Sequence, residues 1–451
     1  MTDMSPRPGP GYEGLRPSRG LRRLDLVAVL AGATVAVVFA GLPAHPLQAQ
    51  VIAIEGGTVH TMTGPPLPNA TVLIRDGRIA EVGTNVAVPA DAVRIDATDR
   101  IVTPGLFDSG THVGVVEIEA VEESDDSRGA DQEDLVDAAF RVEDGLNPQS
   151  MVIPVTRSGG VTTVMARPDG GLFSGQGAVI DLAGERREDM VVRAPAAMFA
   201  SLGETARSAV EGGRGETVMH FREVLEDARA YGENRERFEG GAFRELAVDR
   251  LDLEALQPVL AGEIPLVIEA HRASDIRTVL RLAEEYKFRP IIYGGTEAWM
   301  VADELAAANV PVIVKVLQNL PESFEKLGAT YENAARLSRA GVTVAITTDD
   351  TFRAFTLRQE AGNAVAHGMD HAEALRALTL YPARIWGLEA DYGSLEPGKV
   401  ANVVVWDGDP LELLTSVTHL IIRGRQIPLE SRETQLRDRY LDLGPERAYR
   451  P

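Results

Sequence analysis

Ile101-Val102-Thr103-Pro104-Gly105-Leu106-Phe107-Asp108-Ser109-Gly110-Thr111-His112 joins two stretches of chain that obey different periodicities. Upstream, short apolar runs at 51–54, 58–62, 70–75 and 78–82 are broken by glycine. Asp76-Gly77 falls between Val72-Leu73-Ile74 and Ile79-Ala80-Glu81-Val82. It predicts a tight hairpin, because both turn positions need a left-handed backbone that Asp and Gly adopt cheaply. Downstream, largely apolar runs at 161–165, 196–200, 265–268, 290–293, 310–316 and 342–347 alternate with helical patterns at 276–286, 298–308, 331–340 and 372–378. Buried strands alternating with helices require a parallel sheet, and this many units suit a (β/α)8 TIM barrel. The β pattern returns at 401–406 and 417–428. The expected organisation is a leader at 1–49, a small β-sandwich built from 50–103 and 392–430, the barrel at 104–391 and a C-terminal tail at 431–451. An open doubly wound sheet is the competing architecture. It lacks support, because Gly212-Gly213-Arg214-Gly215 follows no strand and so makes no phosphate loop.

The 451 residues, 44% of them apolar, are enough for two cores. With no cysteine, the chain has no thiolate zinc site, no cysteine nucleophile and no disulfide framework. The 45 basic residues against 67 acidic give a net charge of −22, which repels nucleic acid and anionic membrane and leaves a small-molecule substrate or a protein partner. Arg16, Arg19, Arg22 and Arg23 precede the apolar run 26–42, and Leu47-Gln48-Ala49 offers a cleavage site before Gln50. The expected product is exported, periplasmic or extracellular, with no stable membrane association after cleavage. Asp25 disfavours the twin-arginine route, and the glycine-bearing run is short for an uncleaved anchor.

The segments Gly77-Arg78-Ile79-Ala80-Glu81-Val82-Gly83, Ile95-Asp96-Ala97-Thr98 and 101–108 resemble the barrel entry of the amidohydrolase superfamily. Gly393-Ser394-Leu395-Glu396-Pro397-Gly398-Lys399 with Ala401-Asn402-Val403-Val404-Val405 resembles its return to the sandwich, with Asn402 where aspartate is usual. Ala270-His271-Arg272-Ala273-Ser274-Asp275-Ile276, Ala374-Leu375-Arg376-Ala377-Leu378-Thr379 and Pro382-Ala383-Arg384 resemble the imidazolonepropionase-like branch. The resemblance covers essentially all of the chain after the leader. It implies metal-assisted hydrolysis at the C-terminal mouth of the barrel: divalent ions activate water and an aspartate on the last strand shuttles the proton. It also implies a His-x-His pair on the first strand, a bridging carboxylate or carboxylated lysine on a middle strand, and one histidine each on the fifth and sixth strands.

Matched residue by residue, the implied ligand set is reduced. The first strand keeps its second histidine as His112, while Gly110 stands in place of the first. Glu204 matches the bridging carboxylate, and no lysine lies near a middle strand. Glu269 occupies the fifth-strand slot with His271 two positions on, where alternation points both side chains the same way. Gly294 replaces the sixth-strand histidine, and Asp349 keeps the catalytic aspartate. The chain has eight histidines, and the others offer no substitutes. His45 lies in the leader, His60 and His419 in sandwich strands, His220 in a helix, and His367 and His371 beside a turn before a helix that Asp370 can cap. A four-histidine binuclear centre is excluded by counting. His112, Glu204, Glu269, His271 and Asp349 remain as ligands for at most one ion, zinc or another divalent metal.

The alternative treats these carboxylates as relics, Asp349 satisfied by backbone amides and Glu204 by an arginine. The glycines at 110 and 294 then leave the pocket open. Two features lie apart from this set. Gly170-Gly171-Leu172-Phe173-Ser174-Gly175-Gln176-Gly177 reads as a loop, either over the active-site mouth or simply a tight turn, and the acidic run 117–137 as a solvated excursion. The functions in competition are an exported hydrolase of C–N bonds in cyclic amides or dipeptide-like substrates, with Asp349 as general acid-base, and a catalytically silent homologue. The silent form binds a ligand or joins an active paralogue in a hetero-oligomer. Metal-free hydrolysis by Glu204 with Asp349 is a third reading. Barrels of this type also associate as homo-oligomers.

Overall fold

The computed structural model describes residues 51–129, 135–318 and 320–441. The leader at 1–49 lies outside them, as does part of the acidic run. Sixteen strands are described: β1 Ile52–Val59, β2 Leu67–Arg75, β3 Arg78–Gly83, β4 Val93–Asp96, β5 Ile101–Pro104, β6 Leu106–Thr111, β7 Val161–Ala166, β8 Phe173–Asp181, β9 Val191–Ser201, β10 Leu266–Ala270, β11 Pro290–Gly294, β12 Val312–Val314, β13 Val344–Ile346, β14 Val403–Trp406, β15 Val417–Ile422 and β16 Arg425–Ile427.

The two flanking stretches share one sheet, in the order β16-β15-β14-β5-β1-β2-β3 with β4 beside β1. Its seam is the antiparallel pair β5 and β14, with Val403 opposite Pro104 and Trp406 opposite Ile101. The Asp76-Gly77 turn forms as expected, with φ of 54° and 77°. Alternation along β14 divides the core: Val403 and Val405 join Ile52, Ile54, Val72 and Ile74 in a separate cluster. Val404 and Trp406 face the other way and join the helix-covered layer around the barrel.

The second sheet runs β13-β12-β11-β10-β9-β8-β7-β6 and is nearly closed into a barrel. One strand departs from the expected all-parallel arrangement. β8, read from sequence as a glycine loop, is a wholly buried strand antiparallel to both β7 and β9. Only residues 167–172 connect β7 to β8, too few for a parallel crossover, so the chain turns back on itself. Its glycines serve close approach: a Cβ on Gly177 would stand 2.5 Å from Phe199 Cε2. The remaining connections carry helices, among them Val152–Ser158, Arg214–Glu233, Ala273–Tyr286 and Asn333–Arg339. Inside the barrel, Phe107, Met165, Val179, Phe199, Val267, Ile291, Tyr293, Ile313 and Ala345 fill the lumen with Trp386.

Candidate active site at the barrel mouth

The strand ends that face the C-terminal mouth bring Asp108 from β6 with His112 just past it, Arg167 just past β7, Glu269 from β10 with His271 just past it, Tyr293 from β11 and Asp349 from beyond β13. Asp108 is fully buried. It accepts hydrogen bonds from Thr347 Oγ1 at 2.6 Å, Thr348 Oγ1 at 2.6 Å, and the N–H groups of Thr348 and Gly110 at 3.2 Å. These bonds join the first and last barrel strands. Burial nevertheless pushes the carboxyl up to about 6.

Asp349 has a left-handed backbone, φ 47°, a conformation that a non-glycine residue adopts only where its surroundings impose it. Its Oδ1 accepts from Arg167 Nη2 at 2.9 Å and from the Tyr293 hydroxyl at 2.6 Å. Arg167 also pairs with Asp169 at 3.3 Å and lies 5.2 Å from the centre of the Tyr293 ring. The guanidinium draws Asp169 down to about 2. His112 has no hydrogen-bond partner at Nε2, and burial, followed by the positive charge of Arg167, lowers the imidazole to about 4. On the opposite wall, His271 shares a hydrogen bond from Nδ1 with Thr296 Oγ1 at 2.8 Å, and its Nε2 faces Glu269 Oε1 at 3.5 Å. Glu269 also accepts from Ser201 Oγ at 3.1 Å. Burial alone would raise Glu269, but His271 and Arg167 outweigh it and hold the carboxyl near 2. Glu204 opens the short helix Glu204–Ala209, and its backbone N–H donates to Glu325 Oε2 at 2.8 Å.

Of the five implied ligands, then, Glu269 and His271 contact each other, and Asp349 is tied to Arg167 and Tyr293. Among the described residues, neither the His112 nor the Glu204 side chain is hydrogen-bonded or ion-paired to either pair, and no three His, Asp or Glu side chains form a metal-holding group. These donors do not fit a single ion in this arrangement, since the carboxylates of Glu269 and Asp349 are already engaged by other partners. Nor do the glycines leave open space. A Cβ on Gly110 would lie 2.6 Å from Tyr293 Cε2, and one on Gly294 would lie 2.4 Å from His271 Cε1. Tyr293 and His271 fill the room at these two glycines. The cavity between Arg167, Asp169, Ser201, Glu269 and Tyr293 measures about 40 Å³. Asp349 is satisfied by a guanidinium and a phenol, not by the backbone amides expected of a relic.

Sequence reasoning missed Arg167, Tyr293 and Glu325. Arg167 carried a usable signal: a lone charge directly after the apolar run 161–166 and before Pro168-Asp169-Gly170, the placement of a barrel site residue. Glu325 lies in a long connection with no periodicity to mark it. The remaining histidines have ordinary partners: His371 meets Asp409 at 2.8 Å, His220 meets Glu223 at 3.2 Å, and Asp370 caps the following helix through Ala372 and Glu373.

Comparison with known proteins matches residues 215–427 to the amidohydrolase family. The amidohydrolase tasK of Hapsidospora irregularis is 26% identical over 389 residues, covering 78% of this chain but only 39% of that protein's length. The imidazolonepropionase of Maricaulis maris is 27% identical over 394 residues, 80% of this chain and 92% of that one. The crystal structure of an amidohydrolase from Thermotoga maritima superposes with a TM-score of 0.77 at 31% identity, covering 84% of this chain and 99% of that chain.

Proposed function

We propose, from the premise that the chain belongs to the amidohydrolase superfamily, that it is an exported hydrolase of C–N bonds in small molecules, cyclic amides or dipeptide-like compounds. The chemistry lies at the barrel mouth, with the flanking sheet, curled into a small sandwich, as its support. Asp349 carries this reading, since its carboxylate stands at the end of the last strand within hydrogen-bond reach of two donors. In this role Asp349 takes a proton from the attacking water and returns it to the leaving nitrogen. Arg167 and Tyr293 orient the carboxylate, and the buried wall around Asp108 excludes bulk water. Four-histidine binding of two ions has no place in this proposal, and no step is routed through a metal.

One observation favours a second reading. A cavity of about 40 Å³ is far below the ~300 Å³ of the smallest usual ligand pockets, so substrate entry requires the mouth to rearrange. A silent homologue, held shut at this point and associating with an active paralogue, needs no such change. Mature protein beginning at Gln50 is assayed for amine release from lactams, N-acyl amino acids and dipeptides, with chelator and with added zinc or manganese. The hydrolase reading expects turnover that falls about 100-fold or more in Asp349→Asn. A folded protein inert to the whole panel leaves the silent homologue.

A further inference from the structure

We propose that Arg167 is the resident cation of the barrel mouth, a fixed positive charge that binds its strand ends together in place of an ion, so that the mouth assembles without metal. The guanidinium ties together three elements, as a bridging ion would. It meets Asp349 from beyond β13 at 2.9 Å, Asp169 from the turn after β7 at 3.3 Å, and the face of Tyr293 on β11. Glu269 on β10 lies within its electrostatic reach. Arginine suits the position: it is charged at every physiological pH, planar, weakly hydrated and able to stack on an aromatic ring. The surroundings match the same substitution. Tyr293 fills the space beside Gly110, and His271 fills the space beside Gly294, the two slots whose histidines are missing. A divalent ion brought to Asp349 would have to displace Arg167 or share the carboxylate with it against charge repulsion.

This inference does not depend on turnover and stands apart from either reading of function. It predicts that a neutral residue at position 167 uncovers Asp349, Asp169, Glu269 and His112, a mixed oxygen and nitrogen donor set suited to zinc or manganese. The test compares wild type with Arg167→Ala after chelator dialysis, by thermal melting and by equilibrium dialysis against zinc chloride and manganese chloride. Wild type is expected to melt at the same temperature in chelator and in metal. Arg167→Ala is expected to melt lower, to gain roughly 3 °C or more with metal, and to lose that gain in Arg167→Ala/Asp349→Asn. A wild type that binds an ion and releases it on Asp349→Asn overturns the proposal. So does a folded Arg167→Ala that binds no more metal than wild type. Should Arg167→Ala fail to fold, Arg167→Gln, neutral and closer in length, takes its place, and the wild-type measurement remains decisive.

Discussion

Glu360, on the helix Leu357–Ala366, is 3% exposed and accepts the Leu317 N–H at 2.7 Å. Burial outweighs that bond and the nearby Lys315, pushing the carboxyl up to about 7, while Asp108 rises to about 6. In an unfolded chain a glutamate titrates near 4.3. Between that value and 7 the unfolded chain has released a proton that the folded chain retains. The contribution to stability is therefore full below about pH 4 and is lost as pH rises through 7. Asp169 and Glu269, held near 2, act in the opposite sense: their contribution is present above pH 4 and is lost as pH falls toward 2. From these four groups stability should therefore peak near pH 4 and decline toward pH 8, with His112, lowered to about 4, offsetting part of the decline up to about pH 6.5. Glu360→Gln keeps an acceptor for Leu317 and should remove up to about 3 kcal/mol of that decline. Urea unfolding at pH 5 and pH 8 measures it, and an unchanged difference between the two pH values in the variant would refute the assignment.

The strand β8 ends on Asp181, a fully buried carboxylate that accepts from Thr163 Oγ1 at 2.9 Å, Asn402 Nδ2 at 2.8 Å and the Tyr392 hydroxyl at 3.0 Å, with Arg423 beside it. Here the barrel meets the flanking sheet, and an amide at 402 supplies the donor that a carboxylate would lack. Asn402→Asp sets a second buried carboxylate against Asp181 and should cost about 3 kcal/mol, more than Asn402→Ala. Chemical denaturation of the pair decides it, and an aspartate variant at least as stable as the alanine one sinks the argument. The runs 196–200 and 265–268 could be read as strands because their burial leaves uninterrupted apolar sequence. β8 was illegible because its burial is supplied by neighbours, while its own Gly175 and Gly177 imitate a loop. The site divides in the same way. Asp349 and Glu269 could be matched to a pattern of strand ends, whereas the roles of Arg167 and Tyr293 depend on partners 182 and 56 residues away. No local spacing encodes those contacts.

At the scale of the whole molecule, the question is whether barrel and flanking sheet unfold as one body. β14 lies in the middle of its sheet, between β5 and β15, so the C-terminal segment completes a structure begun before the barrel. Trp406 at its end is fully buried. Its Nε1 donates to Thr103 Oγ1 at 2.9 Å, and its ring passes so close to Gly160 that a Cβ there would stand 2.3 Å from Cη2. The indole thus packs at once on the seam strand β5 and on the turn leading into β7. Truncating it removes contacts from both layers, and a large-to-small change of this kind costs about 3–5 kcal/mol. Because the loss is shared, Trp406→Ala should lower a single melting transition, followed identically by far-ultraviolet circular dichroism and by the fluorescence of Trp299 and Trp386 in the barrel. If the flanking sheet instead melts first while the barrel tryptophans keep their native signal, the two are separate cooperative units, and the seam between β5 and β14 does not bind the molecule together.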